Sequence, residues 1–206
     1  MRILLPYCNK LLIVCLASLL LIGCSGKTVR APGADTAEAK PAEKLPRDYD
    51  KALVLMQSGN YQAAIPVLND FIAKRPKHAG PYINLGIAHR HVGDSEAAQA
   101  AFSKAIELNP SSAEAHHQLG ILYREHGSFD AALNAYNQAL KLDPDYALAH
   151  RNIGILYDLY LQQPGPALQH YKRFLELEGD SDEDVNRWVV DLERRSGSAQ
   201  ASATTP

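Results

Sequence analysis

A period of 34 residues constrains this chain more than any other feature of its sequence. Pro76, Pro110 and Pro144 stand at that spacing. Four further positions repeat in phase with them: Leu85, Leu119 and Ile153; Gly86, Gly120 and Gly154; Ala64, Ala98 and Ala132; and Leu68, Phe102 and Tyr136. Because several positions recur together, the chain is predicted to build one structural unit several times, with each copy packing on the next.

The segment 113–146 is the clearest copy of this unit and is predicted to form two helices. Gly127 is expected to end the first helix, because glycine adopts the left-handed conformation without steric cost. Pro144 is expected to stop the second helix, since proline cannot continue one. Both helices carry apolar residues at helical spacing: Leu119, Leu122 and Tyr123 in the first, and Phe129, Ala132, Leu133, Tyr136, Ala139 and Leu140 in the second. Such a hairpin cannot bury its apolar face alone and needs neighbours of the same kind.

The pattern resembles the tetratricopeptide repeat (TPR), a helical hairpin with a period of 34 residues. The resemblance extends over residues 45–180, about two thirds of the 206-residue chain. It implies an all-α fold, a TPR superhelix (α-solenoid) of about four helical hairpins with a C-terminal capping helix. The array is assigned to residues 47–180, and its repeats run over about 45–78, 79–112, 113–146 and 147–180.

The first and last repeats depart from this pattern, as terminal repeats of such arrays do. In the first repeat, Ala52 stands where the family usually has glycine. In the fourth, residues 162–166 are expected to make the turn one residue longer, which shifts Tyr171 and Phe174 by one position.

The chain beyond the array is predicted to contain a cap and a tail. Residues 181–195 form the expected capping helix, because Val185, Trp188, Val189 and Leu192 recur at helical spacing. Trp188 is interpreted as packing on the last repeat, with a partner anchor as the less favoured alternative. Residues 196–206 are small and polar and are predicted to be a disordered tail.

The N-terminal residues are typical of a targeting segment rather than of a folded domain. Arg2 and Lys10 precede an apolar run at 11–22, which is shorter than the roughly 20 residues of a membrane-spanning helix. The run ends in the sequence LIGC at 21–24, which resembles the lipobox of bacterial lipoprotein signal peptides. That resemblance implies cleavage before Cys24 and lipid attachment to its thiol. An ordinary secretory peptide or a short anchor with a coincidental cysteine is the alternative.

These features predict a lipid-anchored protein of the bacterial cell envelope. Residues 1–23 are assigned as the lipoprotein signal peptide, and residues 24–46 as the lipidated Cys24 with a flexible tether, whose composition offers little to bury. Several acyl chains, palmitate among them, would anchor the chain firmly. Because Ser25 rather than aspartate follows the cysteine, the lipoprotein resemblance implies the outer membrane, with the repeats facing the periplasm.

The sequence offers little support for catalysis, a cofactor or nucleic-acid binding. It contains no Gly-rich phosphate loop, no HExxH and no Gly-x-Ser-x-Gly, so the prediction is that the protein is not an enzyme and has no cofactor. The formal net charge of −2 does not suggest a nucleic-acid surface. The eight histidines are interpreted as packing or surface residues, since His116 and His150 share one repeat position, and no metal site is predicted.

What the TPR resemblance implies instead is a groove that binds a partner. In that family the first helices of successive repeats line a concave face, and the residues carried over to it are Tyr49, Ile83, Asn84, Ile87, Arg90, His117, Ile121, Arg124, Glu125, Arg151 and Ile155. Leu53, Ile87, Ile121 and Ile155 form an apolar ridge that is flanked by arginines. This combination favours an amphipathic helix or extended segment with aliphatic anchors and some acidic residues.

The resulting hypothesis is a protein–protein interaction scaffold that helps to assemble or position a cell-envelope complex. Its partners would be envelope proteins bound through the groove and the membrane bound through Cys24. The alternative is a self-assembling structural component without a client-peptide groove. The sequence leaves the oligomeric state and the identity of the partner open.

Overall fold

The computed structural model describes residues 47–179 and 181–203, which lie in one compact unit. The signal peptide, Cys24 and the tether, all predicted from the sequence, lie outside the described residues. The described part contains helices and no strands: α1 (Arg47–Gln57), α2 (Tyr61–Lys74), α3 (Ala79–His91), α4 (Ser95–Leu108), α5 (Ala113–Glu125), α6 (Phe129–Leu142), α7 (Ala147–Ile155), α8 (Pro164–Glu178) and α9 (Glu183–Ala203). They form four helical hairpins and a final helix, each packing on the next.

The repeating glycines are required by close packing between the two helices of a hairpin. A Cβ atom on Gly86 would stand 2.5 Å from the ring of Phe102 on the following helix. The same distance is 2.5 Å between Gly120 and Tyr136, and 2.4 Å between Gly154 and Tyr171. No side chain fits at these positions while an aromatic ring occupies the facing one.

The first repeat solves the same packing problem with a different pair of residues. Ala52 replaces the glycine, and Leu68 stands where the later repeats have an aromatic ring. Both side chains are fully buried in one cluster. A smaller partner on α2 leaves room for the additional methyl group, so the substitution that makes this repeat look degenerate is compensated within the same hairpin.

The fourth repeat absorbs its extra residue in its first helix. After α7 the chain continues as a π-helical turn, Leu156–Tyr160, in which the Leu161 amide donates to the Leu156 carbonyl at 3.0 Å. Gln162 then adopts a left-handed conformation with φ of 53°, the role that glycine plays in the earlier turns. The expectation of a longer turn is therefore wrong, because the turn 161–163 has three residues like the turn 126–128, and the extra residue lies inside the helix. The extra residue restores the contact between Gly154 and Tyr171.

Helix α9 closes the array. Its first turn is capped by Asp182, whose carboxylate accepts a hydrogen bond from the Val185 amide at 3.0 Å. Val185, Val189 and Leu192 are buried in the same cluster as the residues of α8, and Trp188 packs against this cluster. The helix continues to Ala203, so it extends beyond residue 195, where the sequence predicted the cap to end and a disordered tail to begin.

No helix within residues 47–179 and 181–203 combines the length and apolar character that crossing a membrane requires.

Candidate functional site

The residues predicted to form the groove lie on α1, α3, α5 and α7, the first helices of the four repeats. Helices α3 and α5 contact each other directly, as successive first helices do in a superhelix of this kind. The structure therefore brings the predicted residues onto one set of neighbouring helices. It also divides them into side chains that the repeats bury and side chains that reach the surface.

Three of the predicted groove residues are covered by packing between repeats. Tyr49 is 6% exposed, Ile83 is 5% exposed and His117 is 2% exposed. All three occupy the same position in their repeats, and they are buried within the array rather than open to solvent. Since a partner segment cannot reach them in this structure, they are corrected from groove residues to packing residues.

Two of these buried residues are held by hydrogen bonds from the next repeat. The Asn84 amide donates to the Tyr49 hydroxyl at 2.6 Å, and the Asn152 amide donates to Nε2 of His117 at 2.7 Å. We call these contacts the inter-repeat ladder. The Asn84 amide uses one N–H in the ladder and keeps a second N–H and its oxygen, so its role in holding a partner stays a prediction.

The corresponding hydrogen bond between the second and third repeats is missing. Gln118 occupies the position that corresponds to Asn84 and Asn152, but the residue that would receive its hydrogen bond is Ile83. An isoleucine side chain has no polar group to offer. Among the described residues the Gln118 Oε1 atom, which is an acceptor and not the donor of such a contact, is also buried without a hydrogen-bond partner.

His117 is neutral in this environment. Burial lowers its pKa to about 4, and the positive charges of Arg90 and Arg124 act in the same direction. Since the Asn152 amide can only donate through its nitrogen, Nε2 of His117 is the acceptor and Nδ1 carries the hydrogen. The ring is thus a structural hydrogen-bonding group rather than a charge for a ligand.

The three predicted arginines differ in how their charges are balanced. Arg90 on α3 forms an ion pair with Glu125 on α5, with 2.7 Å between Nη1 and Oε1. Arg151 lies 3.6 Å from the carboxylate of Asp182, and its guanidinium is 5.4 Å from the centre of the Trp188 ring. Both cations and Glu125 are therefore already engaged within the protein.

Arg124 is balanced differently. Its guanidinium lies 6.0 Å from the centre of the Tyr160 ring, a cation–π arrangement. No carboxylate within the described part of the chain pairs with it at ion-pair distance. Arg124 thus presents a half-buried positive charge beside the apolar ridge without an acidic partner of its own.

The apolar ridge itself is present. Leu53, Ile87, Ile121 and Ile155 stand one repeat apart, and all four are half-buried. Each packs against a different hydrophobic cluster. The ridge therefore runs along the array while part of each side chain stays accessible.

A cavity that sequence reasoning missed lies at the C-terminal end of the array. It has a volume of about 630 Å³ and is lined by Asp158, Leu159, Gln162, Pro164, Trp188, Asp191 and Arg195. Leu159 belongs to the π-helical turn and is 65% exposed. The irregular spacing of the fourth repeat was the available signal, because it marked the place where the backbone leaves the repeat geometry.

Groups of three or more histidine, cysteine, aspartate or glutamate side chains placed to hold a metal ion are not found in the described ranges.

Comparison with known proteins identifies the repeats. A family described as TPR repeat matches residues 122–159, and two families described as tetratricopeptide repeat match residues 49–113 and 101–134. Comparison with curated protein sequences gives no match. The chain therefore contains tetratricopeptide repeats, and its fold is an all-α TPR superhelix.

Solved structures show the same fold. A thermophilic TPR protein from Thermus thermophilus is 26% identical, with 70% of this chain and 79% of that chain covered at a TM-score of 0.62. PilF from Pseudomonas aeruginosa is 19% identical, with 73% and 68% covered at a TM-score of 0.67. YrrB, described as a TPR protein with an unusual peptide-binding site, is 20% identical, with 71% and 73% covered at a TM-score of 0.56.

Proposed function

We propose that this array of tetratricopeptide repeats is a lipid-anchored interaction scaffold, which binds a partner protein in its groove and so assembles or positions a cell-envelope complex. The TPR fold supports the general role, a surface for protein or peptide partners. The observation that carries the proposal is the half-buried ridge beside Arg124, a cation without an acidic partner among the described residues. The role requires no catalytic group.

The accessible part of the groove specifies the chemistry of the partner. Ile87, Ile121 and Ile155 offer a row of aliphatic contacts at the spacing of the repeats. Arg124 offers one guanidinium, which is suited to a carboxylate. The partner segment is therefore an amphipathic helix or an extended strand with aliphatic anchors and an acidic residue placed opposite Arg124.

The cell-envelope location rests on the N-terminal sequence. The sequence LIGC at 21–24 follows a short apolar run and two basic residues, which is the order of a lipoprotein signal peptide. Lipid attached to Cys24 would hold the array at the membrane surface, in the outer membrane facing the periplasm. The partner would then be an envelope protein that the scaffold meets there.

The groove is tested by reversing its chemistry. The double substitution Ile121→Glu with Arg124→Glu adds a carboxylate to the accessible ridge and reverses its cation, and we expect it to abolish capture of envelope partners by the full-length chain. The matched control is Leu142→Glu with Lys141→Glu, which makes the same charge change at exposed residues of α6 outside the groove. Equal capture by the groove variant and the native chain would refute the groove.

The anchor is tested separately. Cys24→Ser removes the thiol that would receive the lipid, and we expect the protein to move from the membrane fraction to the soluble fraction. Cys15→Ser is the control, because Cys15 lies within the apolar run that is predicted to be removed. Continued membrane association of the Cys24 variant would contradict the anchor without affecting the groove hypothesis.

A second candidate function is self-assembly through the end of the array. Val190 on α9 is 65% exposed, and it stands 35 residues after Ile155, where the ridge would continue in a further repeat. This candidate predicts a mass that rises with concentration in light scattering, and a monomer for Val190→Asp. A constant monomeric mass for the native chain would exclude it.

A further inference from the structure

Three charged residues occupy the same position near the ends of successive first helices. Arg90, Arg124 and Asp158 stand 34 residues apart. Arg90 pairs with Glu125 on the next first helix, with 2.7 Å between Nη1 and Oε1. Asp158 pairs with Arg195 on the capping helix at 3.0 Å. Among the residues that the structure describes, Arg124 is therefore the charge of this series that the following helix does not neutralise.

Tyr160 occupies the place beside Arg124 that Glu125 occupies beside Arg90. Glu125 stands 35 residues after Arg90, and the residue inserted in the π-helical turn raises this separation to 36, the separation of Arg124 and Tyr160. The centre of the Tyr160 ring lies 6.0 Å from the Arg124 guanidinium. An aromatic ring attracts a cation but has no net charge, so it does not neutralise Arg124 as Glu125 neutralises Arg90.

The ring of Tyr160 is held in this place and is accessible. Its centre lies 4.7 Å from the centre of the Phe129 ring on α6. Tyr160 is nevertheless 41% exposed, and Arg124 is half-buried. A carboxylate that approaches a half-buried guanidinium is attracted more strongly than at the open surface, because less water screens the two charges. The pair of side chains thus offers an accessible positive charge next to an aromatic ring.

We propose that Arg124 and Tyr160 form the site at which the scaffold recognises an aspartate or glutamate side chain of its partner, with Tyr160 as the residue that leaves this site open. The partner's carboxylate lies beside Arg124 as Glu125 lies beside Arg90, in a charge-assisted hydrogen bond. Ile121 lies one helical turn before Arg124, so an aliphatic anchor and the acidic residue are close neighbours in the partner segment. The inference rests on the proposed function, because it assigns the specificity of that groove.

The first test supplies the carboxylate from the chain itself. Tyr160→Glu places one beside Arg124, since a glutamate carboxylate extends about as far from the backbone as the centre of a tyrosine ring. Tyr160→Gln is the matched neutral control. In the full-length chain, Arg124→Gln should raise the unfolding equilibrium constant about three- to fivefold more in the Tyr160→Glu background than in the Tyr160→Gln background. An equal effect in both backgrounds would overturn the proposal.

The second test measures recognition of a separate molecule. The probe is an array of synthetic amphipathic peptides with aliphatic residues, each made in two versions that differ only in a glutamate or a glutamine one helical turn from an aliphatic residue. We expect the native chain to bind the glutamate versions at least about tenfold more tightly. Tyr160→Glu should remove this preference, because its own carboxylate fills the site. Tyr160→Phe keeps the ring and should bind as the native chain does.

The outcomes separate this inference from the proposed function. Equal binding of the two peptide versions by the native chain would overturn the recognition of a carboxylate and leave the groove in place. A preference for glutamate that persists in Arg124→Gln would also overturn the site, since the carboxylate would then bind elsewhere. Binding of no peptide in the array would contradict the groove itself, and this proposal with it, whatever the unfolding measurements give.

Discussion

The inter-repeat ladder makes a quantitative prediction about stability. In the native chain the Asn152 amide donates to His117 at 2.7 Å, and the histidine ring is only 2% exposed. Asn152→Leu removes the donor and keeps a similar side-chain volume, so Nε2 of His117 is left as a buried acceptor without a partner. Leaving such a group unsatisfied costs about 1–3 kcal/mol. With a typical urea m-value of about 2 kcal/mol/M, the unfolding midpoint should fall by about 0.5–1.5 M.

The position between the second and third repeats, where this hydrogen bond is absent, supplies the control for the experiment. Gln118 stands at the same repeat position, but its Oε1 atom is already buried without a partner among the described residues. Gln118→Met therefore removes an unsatisfied group, and we expect a change of less than about 0.5 kcal/mol or a small gain in stability. The two substitutions are chemically alike, so the difference between them isolates the hydrogen bond.

A double substitution completes a double-mutant cycle for this hydrogen bond. His117→Leu combined with Asn152→Leu removes both partners at once, and it should be less destabilising than the sum of the single changes by about 1 kcal/mol or more. The assay is urea unfolding at pH 7.5 followed by circular dichroism, with unchanged m-values as the condition for comparing midpoints. The reasoning is refuted if Asn152→Leu costs no more than Gln118→Met.

Three further predictions follow from packing, titration and backbone geometry. Gly120→Ala places a Cβ 2.5 Å from the Tyr136 ring and should cost about 1–3 kcal/mol in unfolding free energy; Tyr136→Leu should recover part of this loss if the contact is the cause. His117 has a pKa of about 4 in the folded state against 6.5 unfolded, so the unfolded chain binds more protons between these values. Its contribution to stability is complete well above the unfolded pKa and should fall by about 2 kcal/mol at pH 5; a pH profile unchanged in His117→Leu would contradict this. Gln162→Gly relieves a left-handed residue with φ of 53° and should raise stability by up to about 1 kcal/mol, whereas a lower melting temperature would show that the side chain has another role.

The helical elements followed closely from the sequence. The two helices predicted within 113–146 are confirmed as α5 and α6, and Gly127 has the predicted left-handed conformation with φ of 73°. These features depend on local signals, the helical spacing of apolar residues and the residues that end a helix. Local signals do not require knowledge of the neighbouring repeats, and for that reason they could be interpreted one hairpin at a time.

The candidate site was predicted less well. Ile87, Ile121, Ile155 and Arg124 remain on the accessible ridge, whereas Tyr49, Ile83 and His117 are buried. The family pattern assigns whole columns of equivalent positions to the groove, but burial within a column depends on how closely successive first helices approach. That distance is a property of the superhelix and is not encoded at any one position.

By itself, the sequence determined the repeat, the number of hairpins and the small residues that let the helices of each hairpin meet, because several positions recur in phase at the 34-residue period of the TPR hairpin. Only the tertiary structure decided which side chains the stacking leaves accessible. The pairing of Asn152 with His117 joins residues 35 positions apart, and the contact between His150 and His170 depends on a π-helical turn that realigns α8. Contacts between repeats arise from helix geometry accumulated over the whole array, and a pattern repeated along the chain carries no direct record of that geometry.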